Sequence, residues 1–266
     1  MESSNPLSAM PATHIDTRAS AFGHCDKHGR WVRETYAWLV ESGKTMDWCQ
    51  KCADEAKAVK DAAEAEAKRI ASAARRVVEL EKRGVGTRFI GKTFDTYIAE
   101  DTEQRRALDA CRSLAESVAA GNKRLPSLIL CGAPGTGKTH LTCAMIQHCF
   151  DAGRSVRKVN VLQIVRDIKA TWRKGSDCDE EEIIAHYAKR DLLVLDEIGV
   201  QFGSDTERMF IFEIINRRYD AILPTVLISN LDIESLRAEI GERVIDRLRE
   251  DGGKLLTFTG QSFRKH

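Results

Sequence analysis

Residues 129–142 read ILCGAPGTGKTHLT, in which Gly132 is followed after four residues by Gly137, Lys138 and Thr139, the spacing of a phosphate-cradling loop. That spacing has meaning only between a strand and a helix, and both flanks comply. Leu125 to Cys131 is a short apolar run, broken by Pro126 and Ser127, that suits a buried parallel strand, and from Lys138 the segment HLTCAMIQHCF keeps apolar residues at helical spacing. Gly132, Gly135 and Gly137 leave no side chain between backbone N–H groups and phosphate oxygens, and a helix starting near Lys138 turns its positive dipole end to the same anion. Ala133, Pro134 and Thr136 complete the loop. Lys138 is expected to reach the β- and γ-phosphates of ATP, and the Thr139 hydroxyl to ligate Mg²⁺. The competing reading is a glycine-rich turn that holds no ligand.

A phosphate loop needs a second half, an acidic residue at the end of a later apolar strand. Residues 192–199, LLVLDEIG, supply it. Asp196 is expected to hold Mg²⁺, directly or through water, and Glu197 to polarise the attacking water. The adjacent Asp-Glu pair favours a nucleotide hydrolase over a kinase, which needs a substrate hydroxyl rather than a poised water. The alternative is two carboxylates on a solvated strand end.

Between these motifs and beyond them strand and helix patterns alternate. Helices are predicted at 101–121, 138–152, 161–174, 179–190, 204–222 and 232–250, and strands at 126–131, 155–160, 191–197, 224–229 and 254–259. Five strands with crossover helices imply an α/β fold of three layers around a largely parallel sheet. No internal repeat is evident.

At 266 residues and 42% hydrophobic content the chain is long enough for one catalytic domain and something small. The formal net charge of +1 means that any nucleic-acid contact must come from a local patch. No apolar run reaches the roughly 18 residues of a membrane span, and residues 1–20 lack a signal-peptide core and read as a flexible lead-in; a cytoplasmic location is expected.

Of the eight cysteines, most of Cys111, Cys131, Cys143, Cys149 and Cys178 read as small buried thiols. Cys25, His28, Cys49 and Cys52 differ: C-x-x-H, twenty residues, then C-x-x-C gives two close pairs of the ligands that tetrahedral Zn²⁺ favours. A unit of roughly 35 residues needs such a staple because it cannot build an adequate core. A redox pair at Cys49 and Cys52 is the rival, and His24, beside Cys25, leaves the histidine ligand open between His24 and His28. A zinc unit over 21–56 is thus expected. Residues 53–83 contain neither Gly nor Pro and predict a helix whose apolar stripe is mostly alanine, a spacer or alternatively a partner-binding helix. Gly84 and Gly86 end it, so the helical linker is placed at 57–83 and the ATPase domain at 84–266.

GAPGTGKTHL, LLVLDEIGVQ, the strand ending at Asn230, GERVIDRLRE near the C-terminus and RFIGKTFDTY at 88–97 together resemble the DnaC family of bacterial and phage helicase loaders, within the AAA+ ATPases. The likeness covers about residues 84–266. It implies that Asn230 is the sensor asparagine that helps position the hydrolytic water, that Arg243 is the arginine finger reaching a neighbouring subunit's γ-phosphate, and that Arg264 is the second sensor arginine. Arg247 and Arg249 stand on the same predicted helix as alternative fingers. Only seven residues follow the last predicted strand, so little or no helical lid is expected. The resemblance further implies a helical insertion facing single-stranded DNA. Here that insertion reads VRDIKATWRKG, with Trp172 as a stacking ring, Lys169, Arg173 and Lys174 as phosphate contacts, and Ser204 at a further DNA position. The function implied is ATP-dependent loading of a hexameric DnaB-type replicative helicase onto single-stranded DNA, with self-association through the ATPase domain. The rivals are an IstB-type transposition helper and a zinc-dependent adaptor whose nucleotide is structural.

Overall fold

A computed structural model describes residues 18–37, 41, 49–173, 175–199, 205–260 and 262–263. The chain divides into two compact units, Met1–Ala73 and Ala74–His266.

In the first unit, β1 (Arg18–Cys25) and β2 (Gly29–Tyr36) form an antiparallel hairpin closed between Cys25 and Gly29. The positive φ of Gly29, 72°, lets the chain reverse directly after the C-x-x-H pair. Helix α1 (Gln50–Lys82) starts beside Cys49 and Cys52 and crosses from one unit into the other. Its middle is exposed, as the alanine-rich stripe predicts, and Leu80 is its one buried residue.

The second unit holds a five-stranded sheet of β3 (Leu128–Gly132), β4 (Val156–Asn160), β5 (Leu192–Asp196), β6 (Thr225–Ile228) and β7 (Lys254–Phe258), in the order β4-β5-β6-β3-β7. Every neighbouring pair is parallel. This is the sheet expected from the sequence. Strict alternation inside the strands feeds two cores: Leu128, Leu130, Leu192 and Val194 face one side, Ile129, Val159, Leu193 and Leu195 the other. The first core is covered by α2 (Thr102–Ala120) and α3 (Lys138–Asp151). The second is covered by α4 (Val161–Thr171), α5 (Glu180–Ala188), α6 (Asp205–Asp220), α7 (Ile233–Ile240) and α8 (Glu242–Arg249). Among the described residues no helix follows β7.

Local chemistry fixes the helix ends. The Asp101 carboxylate accepts from Gln104 N at 2.7 Å to start α2, and Asp179 and Glu182 form a reciprocal capping box on α5. On the second face Arg218 is fully buried, donating from Nε to Thr225 Oγ1 at 2.9 Å and from Nη1 to the carbonyls of Ala188 and Arg190 at 2.8 and 2.6 Å. Burial pulls its pKa down to about 9, and every one of those acceptors would be orphaned without it.

Candidate nucleotide site and metal centre

The loop from Gly132 to Gly137 leaves β3 and turns into α3 at Lys138. Three of its glycines have φ values that side chains resist: 126° at Gly132, 84° at Gly135 and 99° at Gly137. Each is also crowded. A Cβ at Gly132 would stand 2.3 Å from Phe258 O, at Gly135 2.1 Å from Ser262 Oγ, and at Gly137 2.7 Å from the Tyr97 ring. The tail beyond β7 is stitched to the loop, with Ala133 N donating to Phe258 O at 3.2 Å and Phe263 N to Gly135 O at 2.9 Å. Thr136 Oγ1 donates to Ala133 O at 2.8 Å, and Lys138 Nζ donates to Gly132 O and Ala133 O at 2.6 and 2.7 Å. The ammonium is thus held under the loop, where an incoming phosphate would offer it stronger, charged acceptors.

A cavity of about 430 Å³ opens on this loop, lined by Gly135, Gly137, Lys138, Thr139, Asp196, Glu197 and Asn230, among others. Lys138, Thr139, Asp196, Glu197 and Asn230 are all positions singled out from the sequence, and they converge from the start of α3, the end of β5 and the segment after β6. The oxygen donors of Thr139 and Asp196 beside a phosphate loop are the hard ligands Mg²⁺ takes, so the residues fit that ion. Asn230 is placed by a knit of bonds behind it: Ser229 Oγ donates to Ile198 O at 2.6 Å and accepts from Leu231 N at 3.1 Å, while Gly132 N donates to Leu231 O at 3.2 Å.

The same cavity takes a wall that motif reading did not assign to it. Arg88, Phe89, Lys92, Thr96, Tyr97 and Ile98 line it, from a segment with no strand and little helix, so no periodicity marks it. Gln147, buried on α3, holds this segment in place: its side chain accepts from Gly91 N at 2.9 Å and donates to Phe89 O and Lys92 O at 3.0 and 2.9 Å. His140 Nε2 adds a bond to Thr93 O at 2.8 Å. Among the described residues the buried Tyr97 hydroxyl has no hydrogen-bond partner.

Two further residues act on the acidic pair from edge strand β4. In its parallel pairing Asn160 lies opposite Asp196. Lys158 Nζ donates to Asp196 Oδ2 and Asn160 Nδ2 donates to Glu197 Oε2. Residues 158 and 160 are two apart on a strand and therefore face the same way. Glu197 has a positive φ of 59°, and its N–H donates to Asp196 Oδ1 at 2.9 Å.

Arg243, Arg247, Arg249, Trp172 and Arg173 do not line this cavity. Arg243 is exposed on the first turn of α8, 5.9 Å from the centre of the Phe212 ring. Arg247 is half-buried over Phe212 and Tyr219, and Arg249 is exposed. Trp172 caps α4 with 57% of its surface exposed, edge-on to Phe210, and donates from Nε1 to Glu180 Oε2 at 3.1 Å. Arg173 beside it is exposed, but the adjacent hollow is also lined by Asp177, Asp179, Glu180 and Glu182, charges that repel phosphate. Lys174, Ser204 and Arg264 lie outside the described residues.

In the first unit the four ligand atoms of Cys25, His28, Cys49 and Cys52 gather within 4.8 Å of one another. Cys25 Sγ stands 3.5 Å from Cys52 Sγ, and His28 Nδ1 lies 3.3 Å from Cys52 Sγ and 3.7 Å from the sulfurs of Cys25 and Cys49. Ligands at about 2.3 Å on a tetrahedron stand roughly 3.7 Å apart, so the set fits zinc. His24 is exposed on β1 and outside the cluster. The other ring nitrogen of His28, Nε2, is 3.0 Å from Glu55 Oε1, which leaves Nδ1 facing the sulfurs. Bonds from the His28 backbone and from Cys52 pull the Cys25 thiol down to about 6, and sharing that hydrogen bond pushes Cys52 up to about 11. One of these sulfurs is therefore a ready thiolate for a soft cation.

A phosphate loop after β3, an acidic pair at the end of β5 in the same parallel sheet and flanking helices define an α/β P-loop nucleotide-binding protein. Residues 64–266 match the family described as IstB-like ATP binding protein. The replicative helicase loader DnaC of Buchnera aphidicola subsp. Acyrthosiphon pisum (strain APS) is 35% identical over 187 residues, 70% of this chain and 75% of that protein. The DnaC of Escherichia coli (strain K12) is 36% identical over 172 residues, 65% of this chain and 69% of that protein. The crystal structure of the DnaC helicase loader aligns with a TM-score of 0.55 at 25% identity, over 65% of this chain and all of that one. The chain belongs to the IstB/DnaC-like family of ATP-binding proteins.

Proposed function

We propose that this chain is an ATPase that loads a hexameric DnaB-type replicative helicase onto single-stranded DNA. The observation that carries the reading is the convergence of Lys138, Thr139, Asp196, Glu197 and Asn230 on one cavity in a chain 35% identical to a replicative helicase loader over three quarters of that protein's length. In this reading the loop amides and Lys138 bind the phosphates, Thr139 and Asp196 hold Mg²⁺, Glu197 takes the proton of the attacking water, and Asn230 orients that water. Bound Mg²⁺ supplies charge neutralisation at the β- and γ-phosphates. The contact from Asn160 holds Glu197 away from that role until it is released. Arg243 does not line the cavity of its own subunit, which suits a finger offered to a neighbour and makes hydrolysis depend on self-association. Zinc at Cys25, His28, Cys49 and Cys52 staples the first unit, whose role is to grip the helicase. Trp172 with Arg173 serves as the DNA contact, its exposed ring stacking on a base while Glu180 fixes its orientation.

The test is capture on immobilised Glu197→Gln protein in ATP, with a DnaB-type helicase and a transposase offered as competing partners. Retention of the helicase supports the loader. The family description favours one second reading, an IstB-type transposition helper, and retention of the transposase alone would replace the loader with it. Wild-type turnover that is negligible with DNA and helicase both present would instead identify an adaptor with a structural nucleotide.

A further inference from the structure

Lys158 is not part of any phosphate-loop motif, yet it occupies the metal side of the nucleotide site. Its ammonium donates to Asp196 Oδ2, and the two side chains are only 12% and 15% exposed. The other oxygen of Asp196, Oδ1, accepts the Glu197 N–H at 2.9 Å. Both oxygens of the one carboxylate expected to take Mg²⁺ are therefore engaged, one of them by a full positive charge. Among the described residues Asp196 is the one carboxylate paired with Lys158.

The backbone of Lys158 is pinned as well. Its N–H donates to Arg83 O at 2.8 Å, and its carbonyl lies where a Cβ on Gly84 would stand, 1.9 Å away. These backbone contacts oppose an outward slide of the strand and leave side-chain rotation as the simplest way to withdraw the ammonium. A divalent ion at Asp196 meets a like charge within hydrogen-bond distance of its own ligand, and in a site this enclosed the repulsion is poorly screened.

We propose that Lys158 is a built-in counter-cation of the Mg²⁺ site, competing with the divalent ion for Asp196 so that metal binds only by displacing the ammonium. The inference rests on the assignment of Asp196 as the Mg²⁺ ligand. Lys158 neutralises the carboxylate while the site is empty, lets the polyanionic nucleotide approach without facing a bare negative charge, and sets a threshold of Mg²⁺ below which the site stays unassembled.

The experiment titrates Mg²⁺ against a fluorescent ATP analogue bound to the full chain, reading binding rather than turnover. The wild type should show nucleotide affinity that rises with Mg²⁺ to a defined midpoint. Lys158→Met should lower that midpoint at least about fivefold, the effect of removing one charged hydrogen bond from the ligand. Lys158→Arg should keep it within about twofold. Should Lys158→Met fail to fold, Lys158→Gln, which retains a donor but no charge, gives the same decision. A midpoint unchanged or raised in the uncharged variant, with the wild-type Mg²⁺ response intact, overturns the competition alone. A wild type that binds the analogue with no Mg²⁺ response overturns the assignment of Asp196 and the competition with it.

Discussion

Lys138 and Asn160 show how single side chains are held in readiness. Lys138 now satisfies two loop carbonyls at 2.6 and 2.7 Å. Lys138→Ala should bring nucleotide binding below detection by calorimetry, since it removes the cation held against the loop carbonyls Gly132 O and Ala133 O. Asn160 does two jobs: its Oδ1 accepts from Leu162 N at 2.8 Å to cap α4, and its Nδ2 holds Glu197. Asn160→Asp keeps the cap and turns the second contact into repulsion. Its melting temperature should stay close to that of the wild type, while turnover without DNA rises by about tenfold as Glu197 is released. A fall in turnover would mean that Asn160 assists the reaction rather than restraining it.

Glu55 and Gln147 each act through what they support. Glu55 sits on the second turn of α1, paired with Lys27 at 2.6 Å and with His28 Nε2 at 3.0 Å. Glu55→Ala should weaken zinc binding by about tenfold or more, because nothing then fixes the ring that presents Nδ1; competition with a chromogenic chelator measures it. Gln147→Leu would orphan Gly91 N and Lys92 O and leave Phe89 O with its bond from Lys92 N alone. Its expected cost is roughly 2–3 kcal/mol in stability, with a loss of nucleotide affinity as the wall from Arg88 to Ile98 loosens. Chemical denaturation and nucleotide titration read the two effects separately.

How far these parts could be seen beforehand depends on how local their signals are. The phosphate loop, the LLVLDEIG strand and the five-strand alternation are short, contiguous patterns, and the sheet they predict is the one that forms. The hairpin Arg18–Tyr36 left no such pattern. Its Phe22 and Val32, opposite each other across the two strands, are 74% and 64% exposed, while the half-buried side of β1 is carried by Ala19, Ala21 and Gly23, so the apolar residues of the sequence do not mark the covered face. The cavity wall at 88–98 was legible as a family-like segment but not as part of the site, because Gln147 brings it there across more than fifty residues of chain. Lys158 and Asn160 were invisible for a related reason: only the parallel register of β4 against β5 sets them beside Asp196 and Glu197.

The finger proposed for Arg243 makes turnover a property of more than one chain. Arg243→Ala should bind ATP with near-normal affinity, because the residues of the cavity belong to the same chain. Turnover should fall on the order of a thousandfold. Mixing with Lys138→Ala subunits, which lack nucleotide but carry an intact arginine, should restore part of it. No recovery in a mixture whose heteromers are verified by native mass spectrometry would show that the arginine does not act in trans.

The stitching of the tail to the phosphate loop also governs how this protein should be handled. Phe263 is hydrogen-bonded to Gly135 through its backbone, while its ring is 41% exposed at the cavity. A force applied at residue 263 would therefore be felt by the loop between Gly132 and Gly137. The same coupling makes position 263 a place to listen: a fluorinated phenylalanine there should give a ¹⁹F resonance that shifts when phosphate enters the loop, reporting occupancy without altering any residue that binds it.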